Sequence, residues 1–510
     1  MELDQHILAV VEPAINPTAI EIVDVGDEAD GGGRQTKTVG AVIPFVQING
    51  YVFGDKDIAK CMINMDDTIP SVFLEVEDRN KAFGVDFTAR DGDCITVFIN
   101  SKNVDTFKAV HMDFDITTIT SETTFEGVPP TIVVSGTARI PRLYAEACRD
   151  LPIGTSLDHL ELIARDLGLG LATNIDLADD SMARIQAFTP TINLIRDIVD
   201  SSYISDDSFQ RFYIDQYYYL NFIDVNRVFN SVNGSISDLQ DTFMSLASSI
   251  AEDSSTDETA DNVPTKLILS NHINTRKTSN HIETYNLINN SNEVSMVNGY
   301  ERNIQYYDNN NPNNKLLEFN IQALTSLEMT DLEEPLKGRR GEDNYLEHVK
   351  WKYVGRLNAG DDGLGNVHVN QLYTEMANVQ NNAELNKMKL KVKLEEFNPT
   401  IYKFQKIPVL IYSRDESKIE ASKGLKDAKK EKGFEDDPIK GANTEEEVTN
   451  EEGPNQMLDT FLSGYYVIEN INYIYTVGDG MIQELTLLRR EWPSRLGGIT
   501  EANMNSDSNS

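Results

Sequence analysis

The sequence predicts an α+β protein that is mainly β: two sheet-forming stretches with a small helix–hairpin insert domain. Three observations carry this. Gly464 to Trp492 alternates apolar and polar residues on both sides of a Val477-Gly478-Asp479-Gly480 turn, the pattern of a β-hairpin. Short period-two stretches recur between Val42 and Ala138 with turn residues between them, as a small barrel or sandwich requires. Near residue 152 the period changes from two to that of a helix.

Taken in order, residues 1–39 read as a leader, irregular over 14–37 and closing on Gly31-Gly32-Gly33. A first sheet region, a small barrel or sandwich, is expected over 40–150. Its strand candidates are Val42–Phe53, bent at an Asn49-Gly50 turn, then Ser71–Glu77, Cys94–Asn100, Phe107–Thr117 and Thr131–Ala138. The insert spans 151–235. Thr155 is a good N-cap with Asp158 three residues on as its capping-box partner, and Leu157, Leu160, Ile163, Ala164 and Leu167 share one helical face. Gly168 and Gly170 are expected to stop that helix. A second helix is expected from Thr189-Pro190, with Pro at its first position and Ile192, Ile195, Ile198 and Val199 as its stripe. Phe209–Val225 then reads as a hairpin.

Residues 236–262 read as an acidic linker, Ser/Asp/Glu/Thr-rich over 249–262. A second sheet region is expected over 263–412, with strands at Lys266–Leu269, Met388–Leu394 and Ile401–Tyr412 and an unplaced polar segment over 331–385. A charged insertion follows over 413–456, crowded with Lys, Glu, Asp and Gly. Residues 457–493 supply the closing hairpin, expected to pair with strand 401–412, and 494–510 read as a disordered tail.

Composition narrows the function. A chain of 510 residues is long enough for about three or four domains. A net charge of −37 opposes sequence-specific nucleic-acid binding, which depends on cations that neutralise phosphates. It suits high solubility, or a surface to which passing DNA must not adhere. No apolar run reaches the roughly 18 residues of a membrane span, and Met1-Glu2-Leu3-Asp4 begins no signal peptide, so synthesis in the cytoplasm without membrane insertion is expected. Cys61, Cys94 and Cys148 are scattered and fit neither a disulfide framework nor a zinc site.

No nucleophile motif, Walker A loop or dinucleotide fingerprint occurs, so no catalytic, cofactor-binding or metal residue is expected. Asp91 and Asp93 flank Gly92 and read as a turn, with a cation pair as the weaker alternative. His111, Asp113 and Asp115 fall on one face of a strand, expected to be the solvated one, with Met112, Phe114 and Ile116 opposite. Tyr217-Tyr218-Tyr219 is expected to divide between core and interface. Arg489-Arg490 beside Glu491-Trp492 reads either as a strand-end ion pair with a buried indole or as an anchor at a subunit contact.

Several of these pieces, in this order, carry a resemblance. Leu151-Pro152-Ile153-Gly154-Thr155-Ser156 leads to Leu162-Ile163-Ala164-Arg165-Asp166-Leu167-Gly168-Leu169, then to Ile192-Asn193-Leu194-Ile195. Next comes Phe212-Tyr213-Ile214-Asp215 with Leu220-Asn221-Phe222-Ile223-Asp224. Ser463-Gly464-Tyr465-Tyr466-Val467-Ile468 and Gln483-Glu484-Leu485-Thr486-Leu487 close the series. Over about residues 40–235 and 388–493 the chain resembles the central baseplate hub protein of contractile-tailed bacteriophages, the T-even-type hub, and the related VgrG-like barrel family. The resemblance implies a structural virion protein that is not an enzyme. It also implies two tandem, quasi-equivalent β-barrels, the first over 40–150 and the second over 263–412 with its closing hairpin, so that three copies would form a ring of six barrels between a sixfold tail tube and a threefold central spike.

The expected partners are further copies of itself as a homotrimer, the tail tube protein and the central spike protein, extending to the tape-measure C-terminus and baseplate wedge proteins. The expected location is the virion tail, after synthesis in the host cytoplasm. Interface candidates are Tyr402, Phe404, Tyr465, Val467, Leu485, Leu487, Arg489, Arg490 and Trp492, on the strands 401–412 and 464–492. The alternatives are an acidic carbohydrate-active hydrolase using Asp91 or Asp113, and a VgrG-type spike component of a contractile injection system.

Overall fold

The computed structural model describes residues 7–19 and 43–231 apart from 55, 67, 80–82, 85–91, 100–108, 123–128 and 206–207. It then describes 267–269, 281–290, 301–308, 316–321, 347–358 apart from 356, scattered positions between 367 and 400, 401–413, and 457–490 apart from 460 and 479. The Asp91 turn position, Trp492, the linker 236–262, the insertion 414–456 and the tail 494–510 lie outside the described residues.

The elements run in order as follows. β1 (Leu8–Val11), β2 (Phe45–Ile48), β3 (Tyr51–Val52), β4 (Ile58–Asn64), β5 (Ser71–Glu77), β6 (Cys94–Ile99), β7 (Val110–Glu122) and β8 (Thr131–Ala138) come first. The insert contributes β9 (Glu146–Gly154), α1 (Ser156–Leu167), β10 (Gly170–Thr173), β11 (Met182–Pro190), α2 (Thr191–Ser201), β12 (Gln210–Ile214), β13 (Tyr219–Asp224) and α3 (Val225–Asn230). Then come β14 (Leu267–Leu269), β15 (Ile282–Asn289), β16 (Glu301–Asp308), β17 (Leu316–Ile321), β18 (Glu347–Gly355), β19 (Leu357–Asn358), β20 (Val367–His368), β21 (Met388–Leu394) and β22 (Lys406–Ser413). β23 (Met457–Leu458), β24 (Gly464–Thr476) and β25 (Gly480–Leu488) complete the described chain. The fold is α+β and mainly β.

Two compact units result. The larger draws on the described residues of Met1–Val232, Thr284–Lys406 and Val467–Trp492. Its main ladder runs β15-β21-β25-β24-β4-β5-β8-β7-β6-β2-β3. Every second residue faces its core. β5 and β8 bury alternate positions, including Val72, Leu74 and Val76 on one and Ile132 and Val134 on the other. Each such side chain contributes about 1.5–3 kcal/mol by leaving water. The β2–β3 turn is at Asn49-Gly50, with φ of 49° and 85°, the positive pair that suits the twist of a tight hairpin. β17-β16-β18 form a separate three-stranded sheet, antiparallel then parallel, and β19 pairs β20. β18, β19 and β20 fall in or beside the segment that resisted assignment from sequence.

The insert packs as a four-stranded sheet, β1-β10-β13-β12, with α1 and α2, and as a two-stranded ribbon, β9 with β11. α1 starts as its sequence demands. Thr155 N donates to Asp158 Oδ2 at 2.9 Å while Asp158 N donates to Thr155 Oγ1 at 3.2 Å, closing the capping box. It stops at Gly168, whose φ of 74° lets Leu169 N reach back to Ala164 O at 2.9 Å.

Two sequence expectations change here, and one strand is added. Gly170 does not stop the helix but opens β10: a Cβ there would lie 2.5 Å from the Tyr219 ring and 2.8 Å from Val11 O, so the close approach of β1, β10 and β13 needs glycine. α2 begins at Thr191, because Pro190 is still extended at ψ 143° and serves as N-cap and as the last residue of β11. Leu8–Val11, ahead of the stretch 14–37 expected to be irregular, is an added strand that pairs with β10.

The smaller unit draws on the described residues of Asn233–Glu283, Ile407–Tyr466 and Pro493–Ser510. Here β22 pairs with β14 in parallel and with β23 antiparallel. Ser463 Oγ accepts from Ile411 N at 3.0 Å, and Asp459 N donates to Ile411 O at 2.8 Å, which fixes the chain's return after the insertion. β22 also pairs with β24, as the sequence led us to expect, but it starts at Lys406 rather than Ile401. Residues 401–405 form a turn, with Phe404 at φ 60°.

Candidate functional site

The C-terminal hairpin is the element that joins the two sheet-forming stretches. β25 pairs with β21 on one side and β24 on the other, from Lys389↔Leu488 to Leu394↔Gln483 and from Val467↔Leu488 to Thr476↔Gly480. β24 then pairs with β4, Asn472↔Asn64 through Thr476↔Lys60. A strand hydrogen-bonded on both sides within its own chain has no free backbone edge along β25.

The insert is fastened beside this seam by cations in an otherwise acidic chain. Lys403 is 8% exposed, and its Nζ donates to Met65 O at 2.9 Å and Asp66 O at 3.4 Å. The same ammonium lies 5.2 Å from the Tyr213 ring centroid and 5.9 Å from that of Phe404. Tyr213 Oη donates to Lys403 O at 3.0 Å, and burial holds the Tyr213 phenol well above its usual pKa, so it stays a donor. Lys406 Nζ donates to Phe229 O at 2.7 Å and Ser231 O at 2.8 Å, placing a positive charge on the C-terminal carbonyls of α3. Arg490 donates to Asn226 Oδ1 and Asn381 Oδ1, both at 2.6 Å, with its guanidinium 5.5 Å from the Phe229 ring centroid. Arg211 lies 4.2 Å over Phe209 and donates to Asn382. Beneath these contacts Phe209, Tyr213, Ile223, Val225, Val228, Leu385, Phe404, Val467 and Leu488 form one buried cluster.

The sequence-derived interface residues separate accordingly. Phe404, Val467, Leu485 and Leu487 are buried in the chain's own core. Their apolar surface is covered within the chain. Tyr402 is 41% exposed, Tyr465 and Arg489 are half-buried, and Arg490 is engaged with Asn226 and Asn381. Lys403 and Lys406 escaped the sequence reading. Their signal was present in the alternation of lysine with aromatic residues over Tyr402-Lys403-Phe404-Gln405-Lys406.

The acidic strand face behaves differently from its sequence expectation. Met112 and Phe114 are fully buried, as alternation requires, but Asp113 on the opposite face is only 7% exposed. The leader and the hairpin turn cover it. Asp113 Oδ2 accepts from Thr18 N at 2.9 Å and Thr18 Oγ1 at 2.7 Å, Oδ1 accepts from Thr96 Oγ1 at 2.7 Å, and Asp113 N donates to Tyr218 Oη at 2.8 Å. His111 Nε2 lies 2.9 Å from Thr18 O. These residues clamp the leader onto β7. Asp115 stays exposed and pairs with Arg139 at 3.4 Å, its carboxyl raised by desolvation and lowered in turn by that arginine. Tyr217 and Tyr218 sit in the β12–β13 turn and Tyr219 opens β13: Tyr218 is buried at φ 63°, and Tyr217 and Tyr219 are half-buried.

A second polar cluster lies at the start of α1. Asp180, fully buried, accepts from Ser156 N at 2.9 Å and Tyr203 N at 3.0 Å. His159 is also fully buried, with Nε2 2.8 Å from Pro152 O. Desolvation lowers the His159 pKa, and Arg184 adds to the fall against the opposing Pro152 carbonyl, Asp180 and Asp158. Among the described residues, no group of three or more His, Cys, Asp or Glu is placed to hold a metal, and no helix is long and apolar enough to cross a membrane.

The chain is similar to the 43 kDa tail protein of prophage MuSo2 from Shewanella oneidensis, at 9% identity and TM-score 0.47, over 88% of this chain and 99% of that one. It is similar to a tail protein from Neisseria meningitidis MC58 at 11% identity and TM-score 0.44, over 88% and 96%. Its likeness to the c3393 protein of E. coli, a type VI secretion component itself similar to T4 bacteriophage tail proteins, is 9% identity and TM-score 0.38, over 88% and 77%. No protein-family model and no curated protein matches the chain.

Proposed function

We infer that this chain is a structural component of a contractile tail, a homotrimeric baseplate hub that adapts a sixfold tail tube to a threefold central spike. The observation that carries the reading is the β24–β4 pairing, which hydrogen-bonds the two sheet-forming stretches into one ladder within one polypeptide. Two modules on one chain let three copies present six modules, and so meet neighbours of different symmetry. The cations around Lys403, Lys406 and Arg490 support it, because they fasten the insert to the ladder through carbonyls and amides. The work of such a protein is to hold position rather than to catalyse.

Its partners in this reading are two further copies of itself, the tail tube and spike proteins, and the tape-measure C-terminus and baseplate wedge proteins. Tyr402, Tyr465, Arg489 and Trp492 are its contact candidates. Light scattering coupled to size exclusion on the full chain tests the reading. A stable trimer is the expected result. A monomer that hydrolyses cell-wall glycan would overturn it.

A further inference from the structure

The β9–β11 ribbon carries a surface that the hub reading does not use. Cross-strand partners share a face, and two pairs, Asp150↔Ile185 and Cys148↔Ala187, set the outward one. All four of those side chains are exposed, as is Glu146 at the near end of β9. Ile185 is 69% exposed and Phe188 72%. The inner face of the same ribbon is ordinary core, with Leu151, Met182 and Gln186 buried.

Phe188 is the sharpest observation. It sits where the register slips between Ala187 and Thr189, at φ 53°. A bulky side chain rarely adopts that left-handed conformation, and a bulge re-aims the residue that occupies it. The backbone is held in a disfavoured state, and the ring it directs gains no burial within the chain. Such a combination belongs to recognition rather than to folding. Glu146 and Asp150 add the chemistry. Both are exposed, and neither has an ion pair or side-chain hydrogen bond among the described residues. By contrast, Arg149, on the inner side of β9, is 3.1 Å from Asp166.

We propose that the outward face of this ribbon docks a segment of another protein in which apolar side chains alternate with lysine or arginine. The apolar groups would cover Ile185, Ala187 and Phe188, and the cations would meet Glu146 and Asp150. Charge complementarity selects this occupant. A second copy of a chain carrying −37 would bring like charge to a face that already holds two unpaired carboxylates. The inference requires neither the trimer nor the tail.

The test uses the full chain and synthetic peptides. One peptide sets Leu and Lys alternately on one side of an extended chain, with Ser on the other. In a second, Glu replaces Lys; in a third, Ser replaces Leu. Fluorescence anisotropy should report binding of the Leu/Lys peptide, at least about tenfold weaker binding of the other two, and a similar loss in Phe188→Gly. Phe188→Gly keeps every charge and relieves the positive φ, so its thermal midpoint should hold or rise. Glu146→Gln with Asp150→Asn should weaken binding and flatten its salt dependence. Equal binding by the wild type and Phe188→Gly would overturn the proposal, since it would reveal only the general attraction of a basic peptide to an acidic protein. Self-association in sedimentation that Phe188→Gly abolishes would overturn it in favour of a second copy.

Discussion

Lys403 shows how one side chain decides the placement of several. Its ammonium is buried against the carbonyls of Met65 and Asp66 and between two aromatic rings. Lys403→Met keeps most of the apolar stem but leaves those carbonyls without their donor. A loss of about 1–3 kcal/mol in denaturant-derived stability is expected, and a midpoint unchanged from wild type would show that the carbonyls find other partners. His159 makes a different prediction. Its folded pKa lies below its unfolded value, first because of desolvation. The unfolded chain therefore binds the proton more readily. This stability is fully present above the unfolded pKa of about 6.5 and is lost as pH falls through the folded value. Urea midpoints measured from about pH 8 to about pH 5.5 should fall more steeply for wild type than for His159→Gln. Parallel curves would remove His159 as the cause.

At the scale of elements, α1 is the one whose start and stop are both written locally. The reciprocal Thr155–Asp158 bonds and the positive φ at Gly168 need nothing from the rest of the chain. Thr155→Ala removes one side of the box and should cost about 0.5–2 kcal/mol by thermal or chemical denaturation. The terminal hairpin is equally local, turning through Gly478 at φ 110° and Gly480 at φ 77°. β9, β10 and β11 are the opposite case. β10 is four residues long and buried on both faces, so it shows no alternation. β9 and β11 flank the helices and are broken by bulges, which interrupts the period that would have announced them.

For the whole molecule, charge and assembly are coupled. A trimer of a chain carrying −37 brings three acidic bodies together. Salt screens that repulsion, so the trimer expected of a hub should tighten as ionic strength rises. Analytical ultracentrifugation at low and high salt checks this. A trimer that dissociates with added salt would mean that its contacts are ion pairs, and that the acids lie away from the interface.

Local pattern was enough to read the mainly β fold class, the strands Ser71–Glu77, Thr131–Ala138 and Met388–Leu394, the caps of α1 and the closing hairpin. These depend on the residue's own period, turn chemistry and immediate neighbours. Tertiary structure alone decided that Gly170 is a packing glycine, that Asp113 is a covered clamp, and that Leu485 and Leu487 face their own core. It also decided that the hairpin's second neighbour is β4, some four hundred residues earlier by the numbering of Asn472 and Asn64. Periodicity fixes which face of a strand is apolar. Only the packed chain fixes what covers that face, because the covering groups come from distant segments whose approach no local pattern encodes.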